Sequence, residues 1–216
     1  MSVVNQSTVL QEVVVSLRNA DIMSTTVRDV NRTTQTGTLT DDDEIVIEKS
    51  NVKNVVSVVV GGTPVTGYSV DYHTDDECTI SLVTSLTGAY TVTYDYGNDK
   101  IFAGYPRDDL NISSFPRVAV EYVDIVSVPG GFGNVNRNKH DLSIVAYGAK
   151  KEDVRNIINN VRSWVINNQN ELTTLKLIKP VLMTGLMPAG EFTKFKDKVY
   201  KQSLDIAGLL QYEVNN

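Results

Sequence analysis

Tyr90-Thr91-Val92-Thr93-Tyr94-Asp95-Tyr96 alternates without a break, with an aromatic or branched apolar residue at every even position. Side chains of a strand point to opposite faces in turn, so the heptad predicts a strand with one buried face. The residues before it extend the pattern. Ile45-Val46-Ile47 reads as a short strand, and residues 55–60 read as a second, ended by Gly61-Gly62-Thr63-Pro64. Tyr68, Val70 and Tyr72 alternate, as do Cys78, Ile80 and Leu82. Strands of this length, with turn signals about every 8–12 residues, predict a small antiparallel sandwich or barrel.

Charge marks the same stretch. Residues 37–99 hold eleven acids against only Lys49 and Lys53, a net charge of −9 in a chain whose total is −6. The rest is therefore mildly basic, and such an asymmetry predicts two parts with different surroundings. Residues 31–40, rich in Thr, Asn, Gln and Gly, read as a linker into the acidic module. Gly97-Asn98-Asp99 closes the module, and the turn-rich residues 104–109 lead out of it. The expected division is an inserted acidic β-sandwich-like domain with its connectors at 37–106, and a core made of 1–36 and 107–216.

That core mixes periodicities. Ser7 is placed to cap a first helix, along which Val9, Leu10, Val13, Val14 and Leu17 form one apolar stripe. Ile22, Val27 and Val30 suggest a second short element. Phe115-Pro116 introduces a strand over 117–128, with Val118, Val120 and Tyr122 inward, and residues 142–147 read as its hairpin partner. Between them lies a long glycine-rich loop, from Pro129 to His140. Lys151-Glu152-Asp153 begins a helix whose Val154, Ile157, Ile158, Val161, Trp164 and Val165 fall three and four apart. Residues 172–183 and 198–214 read as two long strands around a turn at 185–190. The order helix, strand, strand, helix, strand, strand predicts an α+β fold. Its antiparallel sheet carries helices on one face, and the small all-β domain is inserted into it.

Chemistry leaves little signature. There is no nucleophile elbow, no H-E-x-x-H and no P-loop, so the sequence points away from an enzyme. Gly131-Phe132-Gly133-Asn134 begins like a dinucleotide fingerprint, but it lacks the third glycine and precedes a strand. With Arg137, Lys139 and His140 the same segment makes a basic interaction loop, the candidate subunit-interface or lumen contact. Asp41-Asp42-Asp43-Glu44 and Asp75-Asp76-Glu77 lack the alternation and glycine of a calcium loop and read as solvated turns. His73, His140 and the lone Cys78 share no ligand spacing, so neither a metal nor any other cofactor is expected. One cysteine suits a reducing cytoplasm, and the N-terminus offers neither the basic nor the apolar region of a secretory signal. No apolar run approaches the ~20 residues of a membrane span. A pI near 4.9 argues against general binding to nucleic-acid phosphates.

The order of elements outside the acidic module resembles the tail terminator and related head–tail joining proteins of tailed bacteriophages. The resemblance lies in an N-terminal helix and a strand opened by a proline, here Phe115-Pro116-Arg117-Val118-Ala119-Val120. It continues through a loop-bearing hairpin at 126–143, an amphipathic helix at 152–167 and a last strand containing Tyr200-Lys201-Gln202-Ser203-Leu204-Asp205-Ile206. It covers residues 1–36 and 107–216; the acidic insert is a departure. It implies a structural virion protein assembled in the host cytoplasm, a hexameric ring that caps the tail tube. Its partners would be the tail tube protein and the head–tail connector or stopper protein, and DNA would pass through the lumen without specific binding. The strands at 143–147 and 198–209 are the expected sheet edges available to neighbouring subunits. Two other readings stay open: another neck, stopper or baseplate position, and a carbohydrate- or host-surface-binding module formed by the β insert.

Overall fold

The computed structural model describes residues 6–72, 78–104, 114–129, 136–170, 172, 175–195 and 198–211. The chain divides into two compact units, Ser24–Asp99 and the combination of Met1–Met23 with Lys100–Asn216. Strand predominates, in two sheets.

Helix α1 (Gln6–Asn19) belongs to the other unit; the Ser24–Asp99 unit opens with the single-turn helix α2 (Thr25–Arg28). Ser24 caps α2 by accepting a hydrogen bond from the Val27 N–H, and Asp29 ends it in the left-handed conformation at φ 63°. Five strands follow: β1 (Val30–Ile47), β2 (Val52–Val60), β3 (Thr63–Pro64), β4 (Tyr68–Tyr72) and β5 (Cys78–Gly97). The long β5 is the spine. One of its edges pairs with β1; the other pairs with β4 over Cys78 to Leu82 and with β2 over Tyr90 to Tyr96.

Residues eleven apart on a straight strand would be separated by roughly 35 Å. Yet Gln35 Nε2 donates to the Val46 carbonyl at 2.8 Å. β1 therefore doubles back. The fold falls at the register shifts around Thr40, Asp42 and Glu44, where Asp41 takes φ 60°. One bent sheet thus encloses the interior of this unit. Ile45, Ile47, Val55, Val58, Ile80 and Val92 meet in its single core.

This corrects the reading of residues 31–40 as a linker: they are strand, paired residue by residue with β5. Threonine tolerates a pleated surface as well as a loop, and the long partner strand decided the outcome. The boundaries move with it, from 36/37 and 106/107 to Met23/Ser24 and Asp99/Lys100. Arg28, Asp29 and Arg32 join the acidic unit, whose net charge becomes −8. Arg28 and Arg32 converge on Asp95, and Arg28 also holds Asp99 at 2.6 Å. Two of the apparent surface acids are thus buried ion-pair partners.

The other unit contains α1, β6 (Ile101–Ala103), β7 (Arg117–Pro129), β8 (Asn136–Gly148), α3 (Lys151–Asn167), β9 (Lys176–Met183), β10 (Met187–Pro188) and β11 (Tyr200–Gln211). Its sheet runs β10-β11-β8-β7-β6, with β9 also on β11, and every pairing is antiparallel except β6 with β7. Val13 and Leu17 of α1 and Ile158 and Trp164 of α3 share a core with Val120, Ile144 and Leu204. Each predicted apolar position of α3 is buried. Arg18 donates to the Ile101 carbonyl at 2.7 Å, which ties α1 to the edge strand β6. The opposite face of the sheet packs Ala119, Val145 and Tyr147 against Phe115, Phe192 and Val199. Phe192 meets Phe115 and Tyr147 edge-on at 5.3 and 5.2 Å.

Two further expectations change. The strands at 143–147 and 198–209 are interior, because β8 lies between β7 and β11, and β11 lies between β8 and the β9–β10 pair. The strand expected over 172–183 begins only at Lys176; Leu172 and Leu175 before it are buried in the helix-side core.

Candidate interaction surface

The loop expected from Pro129 to His140 is shorter in the structure. Pro129 pairs with Asn136, so β7 and β8 extend almost to the tip. Gly131, Phe132, Gly133 and Asn134 lie outside the described residues, as do His73 and the run Asp75-Asp76-Glu77. The backbone of Arg137 is strand, paired with Val128 on one side and Gln211 on the other. Lys139 reaches Asp141 at 2.9 Å.

His140 is an interior residue, not a surface one. It is only 2% exposed, between Ile125 of β7 and Gly208 of β11. Its Nδ1 lies 3.0 Å from the Tyr122 hydroxyl, and its Nε2 has no hydrogen-bond partner among the described residues. Burial pushes its pKa down, against an opposing pull from Asp141. That favours the neutral ring. This hydrogen bond is to a tyrosine, not to the serine or cysteine a nucleophilic pair needs.

The acid run 41–44 sits at the bend of β1. Asp42 accepts from the Thr40 N–H at 2.8 Å, and the Asp41 N–H donates to Thr87 Oγ1. These side chains shape a turn. No group of three or more His, Cys, Asp or Glu with metal-binding geometry occurs among the described residues. Cys78 is fully buried in the core, and its thiol is pushed up to about 11, first by burial and then by Asp71.

What the sequence reading missed is the outer edge of the β9–β10 side. Leu177, Val181, Leu182, Met183 and Met187 are all exposed, three of them above 50%. Apolar residues at such density on a sheet edge mark contact surface. The edge of the other sheet is built the opposite way. The outer side of β1 presents threonines and the bulged acids 41–44, devices that discourage strand addition. The signal was present in Lys176-Leu177-Ile178-Lys179-Pro180-Val181-Leu182-Met183. It is apolar on both faces yet contains a proline, which sheets tolerate at edge strands or bulges.

Beside this edge a cleft of about 510 Å³ opens on the sheet face away from the helices, lined by Ser143, Thr184, Met187, Lys201, Ser203 and Asp205 among others. Several of its polar groups are hydrogen-bonded within the protein. Ser143 donates to Asp205 at 2.7 Å, Lys201 to Glu191 at 2.8 Å, and the Ser203 N–H to Thr184 Oγ1 at 2.9 Å.

No protein-family model matches the sequence, and no curated protein matches it.

Proposed function

We propose that the protein is a structural subunit of a tailed-phage virion that assembles as a closed, hexameric ring at the head-proximal end of the tail. In this reading the unit built from Met1–Met23 and Lys100–Asn216 is an α+β core with its helices on one sheet face. The Ser24–Asp99 unit is an acidic insert exposed to solvent. The ring caps the tail tube protein and presents a surface to the head–tail connector, while DNA passes through without specific contacts.

The observation that carries the reading is the exposed apolar edge of β9 and β10, with Val181, Leu182, Met183 and Met187 open to solvent. A lone subunit would expose this edge to uncontrolled association; a ring that closes on itself covers it in every copy. The resemblance in element order supplies the place in the virion.

Native mass and negative-stain images of the purified protein test the proposal. Closed rings support it. A protein that stays monomeric at every concentration, alone and with tail tubes, overturns it.

A further inference from the structure

We infer that the neighbour covering the β9 edge is a second copy of this chain, which meets it with the outer edge of β7 from Glu121 onward. The inference rests on the ring reading and specifies its interface.

The topology sets it up. β6 pairs with β7 only from Val118 to Val120, and among the described residues no strand pairs with that edge of β7 further along. The two edges therefore lie at opposite sides of one sheet. Successive antiparallel pairings, β7 with β8, β8 with β11 and β11 with β9, make β9 antiparallel to β7. Copies related by rotation about a ring axis then continue the antiparallel ladder from one subunit into the next.

The side chains agree with this pairing. β7 presents Val123, 62% exposed, next to the exposed Asp124. β9 presents Val181 and Leu182, each 57% exposed, close to the exposed Lys179. An antiparallel register that sets Lys179 opposite Asp124 lays Val181 and Leu182 alongside residues 121–123. It also sets Pro180 opposite Val123 and Val181 opposite Tyr122, while Leu182 falls opposite Glu121 at the end of the apolar contact. Joining β9 to another β9 would instead bring lysine-bearing edges together, and β1 of the acidic unit is bulged and hydrophilic along its edge. Pro180 lacks an N–H, so the added ladder is short and the side chains contribute much of the contact.

Charge reversal with rescue tests the pairing. Lys179→Glu and Asp124→Lys are made singly and together, and subunit assembly is followed by sedimentation over a concentration series. Circular dichroism confirms that each variant is folded. Each single reversal is expected to raise the concentration for half-assembly by on the order of tenfold, and the double variant to recover most of it. Val181→Lys with Leu182→Lys is expected to abolish assembly. Rings that form normally in the single variants and in the lysine pair place the interface elsewhere; that overturns this inference and leaves the ring reading intact. A wild-type protein that never assembles overturns both.

Discussion

Arg28 Nη1 lies 3.1 Å from Asp95 Oδ2, and neither side chain has any exposed surface. The guanidinium also reaches Asp99, and Arg32 closes on Asp95 from the other side at 2.8 Å. The cluster fastens α2 and the start of β1 to the end of β5. Removing one member leaves a buried charge short of a partner, a change that costs about 3–5 kcal/mol. Asp95→Ala is therefore expected to lower the unfolding free energy of the Ser24–Asp99 unit by that amount in urea titrations. A loss below about 1 kcal/mol would show that water reaches the cluster.

The same carboxylate gives a pH signature. Burial works to raise the Asp95 pKa, but the hydrogen bond from Arg32 and the charges of Arg28 and Arg32 outweigh it and hold the group below the usual carboxylate range. A depressed folded-state value means the unfolded chain takes up the proton first. The stabilisation is present above the unfolded value of about 3.9 and is lost as the pH falls through the folded one. Acid unfolding of the wild type is expected to steepen below about pH 4, and Asp95→Asn to flatten that limb. An unchanged acid limb in the variant would assign the transition to other groups.

Gly37 lies under the ring of Tyr90. A Cβ at position 37 would come within 2.5 Å of the ring, whose hydroxyl also meets Gln35 Nε2 at 3.2 Å. Gly37→Ala displaces the tyrosine and is expected to cost about 1–3 kcal/mol, the usual range for overpacking. Gly37→Ala combined with Tyr90→Leu should recover part of that loss. If the double variant is no more stable than the single one, the glycine acts through backbone freedom instead.

Cys78 offers a probe of the same core. It is fully buried, with a thiol pKa pushed up to about 11, so little reactive thiolate exists at neutral pH. A thiol reagent added to the native protein is expected to label it only as fast as the surrounding strands open, with labelling complete in denaturant. Rapid labelling without denaturant would mean that the β4–β5 region opens without global unfolding.

Periodicity made the local elements legible, and long-range pairing limited how far that went. The stripe from Val154 to Val165 has one helical solution, and the alternation from Tyr90 to Tyr96 has one strand solution; both match the structure. Residues 31–40 look like a linker because threonine, asparagine and glycine favour turns when nothing pairs with them; β5, 47 to 65 residues later, supplies the pairing. The ion-pair role of Asp95 was hidden for the same reason, since Arg28 and Arg32 lie 67 and 63 residues away in sequence. The β9 edge was overlooked because exposure is a property of sheet order. Pro180 hinted at an edge or a bulge, but whether Val181 faces a neighbour or solvent depends on which strand flanks β9, which local composition does not encode.

His140 carries the last test. Its pKa is lowered chiefly by burial, while Asp141 pulls the other way, and Nε2 has no described partner to receive a second proton's hydrogen bond. The unfolded chain, with a value near 6.5, therefore binds the proton more readily than the folded one. Stability is expected to fall as the pH drops below about 6.5 and to level off below the folded value, with a slope of at most about 1.4 kcal/mol per pH unit. Unfolding titrations between pH 5 and 7.5 on the wild type and on His140→Asn locate the effect. The slope should shrink in the variant. An imidazole resonance of His140 that titrates at or above 6.5 in the folded protein would refute the assignment, because a ring free to charge at its ordinary pH imposes no such penalty on folding.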